Sequence, residues 1–286
     1  MPKGKENTQG RGLEYAFVEE FRKAFPEGTY DGDRTAALKN YFDNCEPTIR
    51  EKFSRACRVF WGRYRRNKSY ETVALKFQSD SQAARRGVPD LVLTLDDMSQ
   101  KISVKHNNDA MRHPRVHGTM QHLGFPLKSR EDVSFRSELE SMRSAIGERV
   151  IAEFGCVVSY PEMGDWKSVN VYQPITAFLA DTLRKFESSK PQTRAYFTFL
   201  WGGDHVKAIV GSNSISVLDY RDMDEPSGMK VGWSASKPSY VDLTFDTGFE
   251  VSMRLKNDWR EFERGLPNKL DVRAVTAPNV IREVFF

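Results

Sequence analysis

Gly87-Val88-Pro89-Asp90-Leu91-Val92-Leu93-Thr94-Leu95-Asp96-Asp97-Met98-Ser99-Gln100-Lys101-Ile102-Ser103-Val104-Lys105 is the stretch that decides how this chain is read. Residues 91–95 form a short apolar run with the length of a buried strand, and residues 101–105 alternate polar and apolar with the period of a half-buried one. The segment between them, 96–99, is rich in turn-forming residues. The stretch therefore predicts a β-hairpin that carries Asp90 and Lys105 to the same end of a sheet. Upstream, residues 71–77 read as another strand. Three helices are expected before it. The first spans 13–25, with Leu13, Phe17, Phe21 and Ala24 at helical spacing and Pro26-Glu27-Gly28 as a stop. The others span 35–42 and 47–64, the latter striped by Ile49, Phe53, Ala56, Val59, Phe60 and Tyr64. Downstream, 106–136 is polar and irregular, and helices are expected over 137–154 and 174–187. Strands then follow at 195–201, 206–210, 214–218, 240–245 and 249–255. The fold class expected is α/β, a mixed central sheet flanked by helices with a strand-rich C-terminal half. Residues 1–12 are expected to be disordered, 13–190 to form the core, and 191–286 to pack on it.

Composition excludes several classes. The chain has 286 residues, 39% of them hydrophobic, enough for one large domain or two small ones. No apolar run reaches the length of a membrane span, and the N-terminus has no apolar leader, so a cytoplasmic, non-membrane protein is expected. Cys45, Cys57 and Cys156 are few, odd in number and lack metal-ligand spacing, which fits a reducing compartment. The net charge of +4 is unremarkable. Its distribution is not: residues 50–68 hold Arg50, Lys52, Arg55, Arg58, Arg63, Arg65, Arg66 and Lys68 against Glu51 alone. Such a cluster reads equally as a phosphate-binding surface or as the solvated face of a helix.

An Asp at the start of one strand and a Lys near the end of the next suit phosphodiester hydrolysis. A carboxylate holds a hard divalent cation through oxygen, and the cation polarises phosphate and acidifies water. A neighbouring ammonium orients the water or offsets charge on the phosphate. Pro89-Asp90, a strand turn and then Lys105 resemble the signature of the PD-(D/E)xK nuclease superfamily, with Ser103 where a second carboxylate is expected. Wider blocks resemble the HaeIII family of type II restriction endonucleases within it: Ser103-Val104-Lys105-His106-Asn107-Asn108 with Arg112-His113-Pro114-Arg115, the run from Phe77 to Asp80 into Asp90, Gly10 to Ala16, and Ser252 to Asn257. Lys256 stands where that family has His, and Asp258 where it has a small residue.

The resemblance implies Mg²⁺-dependent, sequence-specific cleavage of double-stranded DNA at a short GC-rich palindrome of the GGCC kind, by a homodimer. It implies Asp90 and Glu14 as metal ligands, and Asp90, Lys105, Ser103 and Glu14 as the catalytic set. Glu14 has an ordinary reading too, since acids favour the first turn of a helix, and Asp80 is its rival as the second carboxylate. Candidate DNA contacts are Arg63, Arg66, His106, Asn107, Asn108, Arg112, His113, Arg115, Arg254, Lys256 and Asn257. Asn directly after the catalytic strand suits base edges or phosphates. A zinc site on His106, His113, His117 and His122 lacks any supporting spacing. Two rivals stay open: a repair or recombination nuclease with the same core, and a DNA-binding protein without catalysis, for which Ser103 speaks.

Overall fold

A computed structural model describes residues 5–31, 35–66, 68–77, 90–107, 110–256 and 267–285. The chain is a mixed α/β protein built as two compact units, each assembled from separated segments. The first unit takes 1–109, 202–223 and 279–286; the second takes 110–201 and 224–278. The division expected near residue 190 is therefore corrected. It fails because strands from both sides of that point join one sheet, while the helices just before it belong with the other.

In the first unit, helices α1 (Lys5–Ala24), α2 (Thr35–Asp43) and α3 (Pro47–Arg65) accompany a seven-stranded sheet. Its strands are β1 (Thr29–Asp31), β2 (Val73–Phe77), β3 (Leu91–Leu95), β4 (Met98–His106), β5 (Val206–Val210), β6 (Ile215–Asp219) and β11 (Ile281–Phe285). They lie in the order β1-β2-β3-β4-β5-β6-β11. β1 runs parallel to β2 and β4 parallel to β5; the other neighbours are antiparallel. The expected hairpin is present, with Leu91 opposite Ile102 and Asp96-Asp97 as its turn.

Alternation along the strands sorts the residues. Ile102, Val104, Val206, Ala208 and Val210 join the core beneath α1 and α3, so Ser103, Lys105 and Lys207 point to the opposite face. Trp61 is fully buried and donates its indole N–H to the Phe17 carbonyl at 2.7 Å, while Phe17, Phe21 and Phe60 meet its ring edge-on. That knot locks α3 against α1.

α1 begins at Lys5, eight residues before the expected start, so the disorder expected over 1–12 does not extend through Lys5 to Gly12. Two glycines and a polar run gave the segment little helical signal. Packing supplies what propensity lacks: a Cβ at Gly12 would stand 2.9 Å from Cys45 Sγ and 3.2 Å from the Phe42 backbone, so only glycine lets the helix approach there.

The second unit holds α4 (Thr119–His122), α5 (Arg130–Phe154), α6 (Gln173–Arg184) and α7 (Lys190–Trp201). Its antiparallel sheet has the order β10-β9-β8-β7, from β7 (Met229–Gly232), β8 (Tyr240–Phe245), β9 (Glu250–Lys256) and β10 (Lys269–Thr276). α5 starts at Arg130 because Ser129 caps it, accepting from the Asp132 amide at 3.2 Å. α7 overturns the strand expected over 195–201. Its aromatics suggested β structure, but Thr193, Tyr196, Phe197 and Leu200 are its buried residues, and that spacing is helical.

Candidate active site

Asp90 immediately precedes β3, with its amide donating to the Ile102 carbonyl at 2.9 Å. Its carboxylate reaches across to β4. One oxygen, Oδ2, accepts from the Val104 amide at 2.7 Å, from Ser103 Oγ at 3.2 Å and from Lys105 Nζ at 3.4 Å. Asp90 and Lys105 side chains each keep 25% of their exposure, so the pair is half-buried but reachable.

Glu14 on α1 belongs to the same electrostatic group. Burial, and next the charge of Asp90, push its carboxyl up to about 7, against the opposing pull of Arg11 and Lys105. Arg11 donates to it at 3.1 Å, one helical turn earlier. Spacing put Asp90 and Lys105 at one end of a hairpin and the resemblance added Ser103 and Glu14; in the structure Ser103 and Lys105 contact Asp90, and Glu14 feels the charges of Asp90 and Lys105. Ser103 is fully buried and spends its hydroxyl on Asp90. It acts there as a strut for the carboxylate.

Sequence reading missed a second layer. Lys207 on β5 is in register with Ser103 and fully buried, 5.7 Å from the centre of the Tyr220 ring. His205 stacks on the same ring at 5.1 Å and hydrogen-bonds the Gly203 carbonyl through Nδ1 at 2.8 Å. The signal for Lys207 was available: a lysine inside an otherwise apolar five-residue strand is costly unless something specific holds it. Nothing in the spacing marked His205.

Burial first, then the charges of Lys207 and Lys105, hold the His205 imidazole down at about 4, outweighing Gly203 and Asp90. The unfolded chain therefore takes up a proton near pH 6.5 that the folded chain refuses until about pH 4. Stability contributed by neutral His205 is intact above that window and is lost as pH falls through it. Urea unfolding between pH 7 and 4 should show the loss, and His205→Gln should flatten the slope by up to about one proton, roughly 1.4 kcal/mol per pH unit. An unchanged slope would mean that His205 is not held neutral.

The remaining candidates separate. His106 ends β4, half-buried, its ring edge-on to Phe53 at 4.9 Å; burial and the charge of Lys52 lower its pKa. Asn107 follows with a left-handed φ of 50° and its side chain 3.1 Å from His106. Asp80, Asn108 and Asn257 lie outside the described residues.

The basic run 50–68 divides along α3. Phe53 meets His106 at the catalytic end of β4, whereas Tyr64 hydrogen-bonds Gln100 at the other end, 3.0 Å away. Six strand residues put those ends about 20 Å apart. Arg63 pairs with Glu283 at 3.1 Å, and Arg65 pairs with Glu27. Of the two expected phosphate contacts here, Arg63 already has a carboxylate partner in Glu283, and Arg66 follows α3 at its C-terminal end.

In the second unit, Arg112 lies over Phe199 at 4.6 Å while His122 stacks on that ring at 3.6 Å. Arg112 is thus half-buried and held against the Phe199 ring. His113, Lys256 and Arg273 instead surround Asp271, at 3.4, 2.5 and 3.6 Å. Burial works to raise the Asp271 pKa, but Lys256 and its neighbours win and lower it. Arg115 pairs with Lys269 through a backbone β-bridge, and Arg254 stands opposite Asp271 with its guanidinium 5.8 Å from the centre of the Tyr240 ring. These cations share the polar face of the four-stranded sheet.

The donors at the Asp90 site are all oxygen, from two carboxylates and a hydroxyl. That set fits a hard divalent cation such as Mg²⁺, which takes one or two carboxylates and completes its shell with water and phosphate. Among the described residues, no group of three or more His, Cys, Asp or Glu is arranged for a metal. Among the described residues, no helix is long and apolar enough to cross a membrane. Compared with models of known protein families, with curated proteins and with solved structures, the chain matches none.

Proposed function

We propose that this chain is a Mg²⁺-dependent endonuclease that hydrolyses double-stranded DNA, acting as a type II restriction enzyme of the HaeIII kind on a short GC-rich palindrome. The observation that carries the reading is the grouping of Asp90, Lys105 and Glu14 at one end of the central strands of a mixed sheet. Asp90 and Glu14 would hold the cation, which supplies phosphate polarisation and an acidified water. Lys105 holds an ammonium beside the Asp90 carboxylate, where it can orient water or offset phosphate charge. Ser103 and the Val104 amide fix the carboxylate in one orientation. The cationic face around Asp271 supplies further DNA contacts, where phosphate contacts set register and base edges set sequence. A palindromic site matches a two-fold homodimer, and the cytoplasm is the compartment where such an enzyme meets DNA.

Incubating plasmid DNA with the protein and Mg²⁺ tests this. Discrete fragments support a restriction enzyme, and a smear favours a general or repair nuclease. Retention of DNA without cutting would leave the non-catalytic reading. One observation favours that last reading: Asp90 Oδ2 is already used to cap the Val104 amide, a structural task in its own right.

Glu14 has its own test. Removing a metal-binding carboxylate raises the Mg²⁺ concentration needed for half-maximal cutting, and Mn²⁺, which binds such ligands more tightly, partly restores it. Glu14→Gln should raise that concentration by about tenfold, the scale of a weakened metal site. Asp80→Asn should not. The reverse pattern would move the role to Asp80.

A further inference from the structure

A cleft of about 690 Å³ lies in the first unit between the N-terminal half of α3 and the turn joining β5 to β6. Lys52 and Arg55 stand on its helical wall, three residues apart and so on one helix face, with Glu51 beside them. Ser212, Asn213 and Ser214 form the opposite wall. Val59, Ile215 and Phe285 give it an apolar floor. Hydroxyls, an amide and two cations above apolar surface match a nucleotide chain, whose phosphates need charge and hydrogen bonds while its sugars and bases cover carbon.

Position ties the cleft to the Asp90 site. Val210, on its rim, partners His106, the residue after Lys105. Ser103 partners Lys207 three residues earlier on the same strand. The cleft therefore opens about 10 Å beyond the Ser103 row, measured along β5, on the α3 side of the sheet that His106 also faces, while Ser103 and Lys105 project from the other side. Lys52 reaches the same edge, since its charge acts on His106. The C-terminal members of the basic run, from Arg63 onward, follow Tyr64 toward the Gln100 end of β4, about 20 Å from His106 along the strand.

We propose that this cleft binds the sugar–phosphate backbone of one DNA strand beside the cut, with Lys52 and Arg55 on its phosphates and the Ser212–Ser214 turn against its other side. This rests on the nuclease reading for the word "cut", but the contact itself is tested by binding alone.

The experiment uses the full chain and a fluorescein-labelled duplex, with Ca²⁺ in place of Mg²⁺, and follows anisotropy as salt is raised. Lys52→Gln/Arg55→Gln should flatten the plot of log affinity against log salt by roughly two units, one for each lost phosphate contact. Arg66→Gln/Lys68→Gln, the control at the far end, should leave the slope unchanged. Asn213→Asp adds a negative charge to the opposite wall and should weaken binding at low salt, whatever the helix variants do to folding. Loss of slope with no Mg²⁺ cutting by the wild type would keep the cleft and remove the nuclease. Normal cutting with an unchanged slope in Lys52→Gln/Arg55→Gln and unchanged affinity in Asn213→Asp would remove the cleft and keep the nuclease. Equal slope losses from both double variants would reduce the proposal to general surface charge and overturn it.

Discussion

Asp90→Asn should abolish DNA cleavage, lowering the single-turnover rate by at least about a thousandfold, the scale of losing a charge that holds a catalytic cation. The variant is close to neutral for the fold. Asn keeps a carbonyl oxygen that can accept from the Val104 amide and Ser103 Oγ, the two contacts that tie the side chain to β4. What disappears is the negative charge facing Lys105 and Glu14. Duplex affinity in Ca²⁺ should therefore survive. Cleavage at the wild-type rate would remove Asp90 from the chemistry and leave it as the strand latch that its Val104 contact describes. A variant that neither cuts nor shows a native unfolding transition would be replaced by Asp90→Ser, which keeps an acceptor of smaller size.

Lys105→Ala is expected to lower the same rate by about a hundredfold to a thousandfold, the cost of one missing charge-stabilising group. Affinity should change far less, because the ammonium is directed at the Asp90 carboxylate. Loss of the lysine also removes the cation paired with Asp90, so metal binding and rate have to be separated in this variant. Saturating Mg²⁺ answers this: a rate defect that persists there belongs to the chemical step. A large affinity loss with an unchanged rate constant would make Lys105 a phosphate clamp instead.

The hairpin was legible because two short strands and a two-residue turn are local. Their period fixes their faces, and the faces fix which ends carry Asp90 and Lys105. Glu14 came only through a resemblance, since nothing local connects a helix beginning at Lys5 with a strand ending at His106. The basic run on α3 shows what a helical pattern omits. Periodicity told which residues face out, but not which half of the helix overlies the reactive edge. That depends on Phe53 meeting His106 and Tyr64 meeting Gln100, both long-range contacts. Lys207 showed as a lysine inside an apolar strand, but its place beside Ser103 did not, because Ser103 comes from a strand distant in sequence. The α7 segment failed differently: aromatic content outweighed the buried Thr193, Tyr196, Phe197 and Leu200 spacing that decides its structure.

The pairing of β4 with β5 has a consequence for the order of events during synthesis. Ile102 and Val206 are partners across about a hundred residues of intervening chain, and β11 is added to the sheet later still. A nascent chain that has left the ribosome as far as Lys105 has its Asp90 hairpin but no neighbour for the outer edge of β4. Contacts of such long range form slowly, because loop closure precedes the reward. The reactive edge is thus finished only after most of the polypeptide has been translated, so unfinished chains carry the residues of the site without the sheet that arranges them.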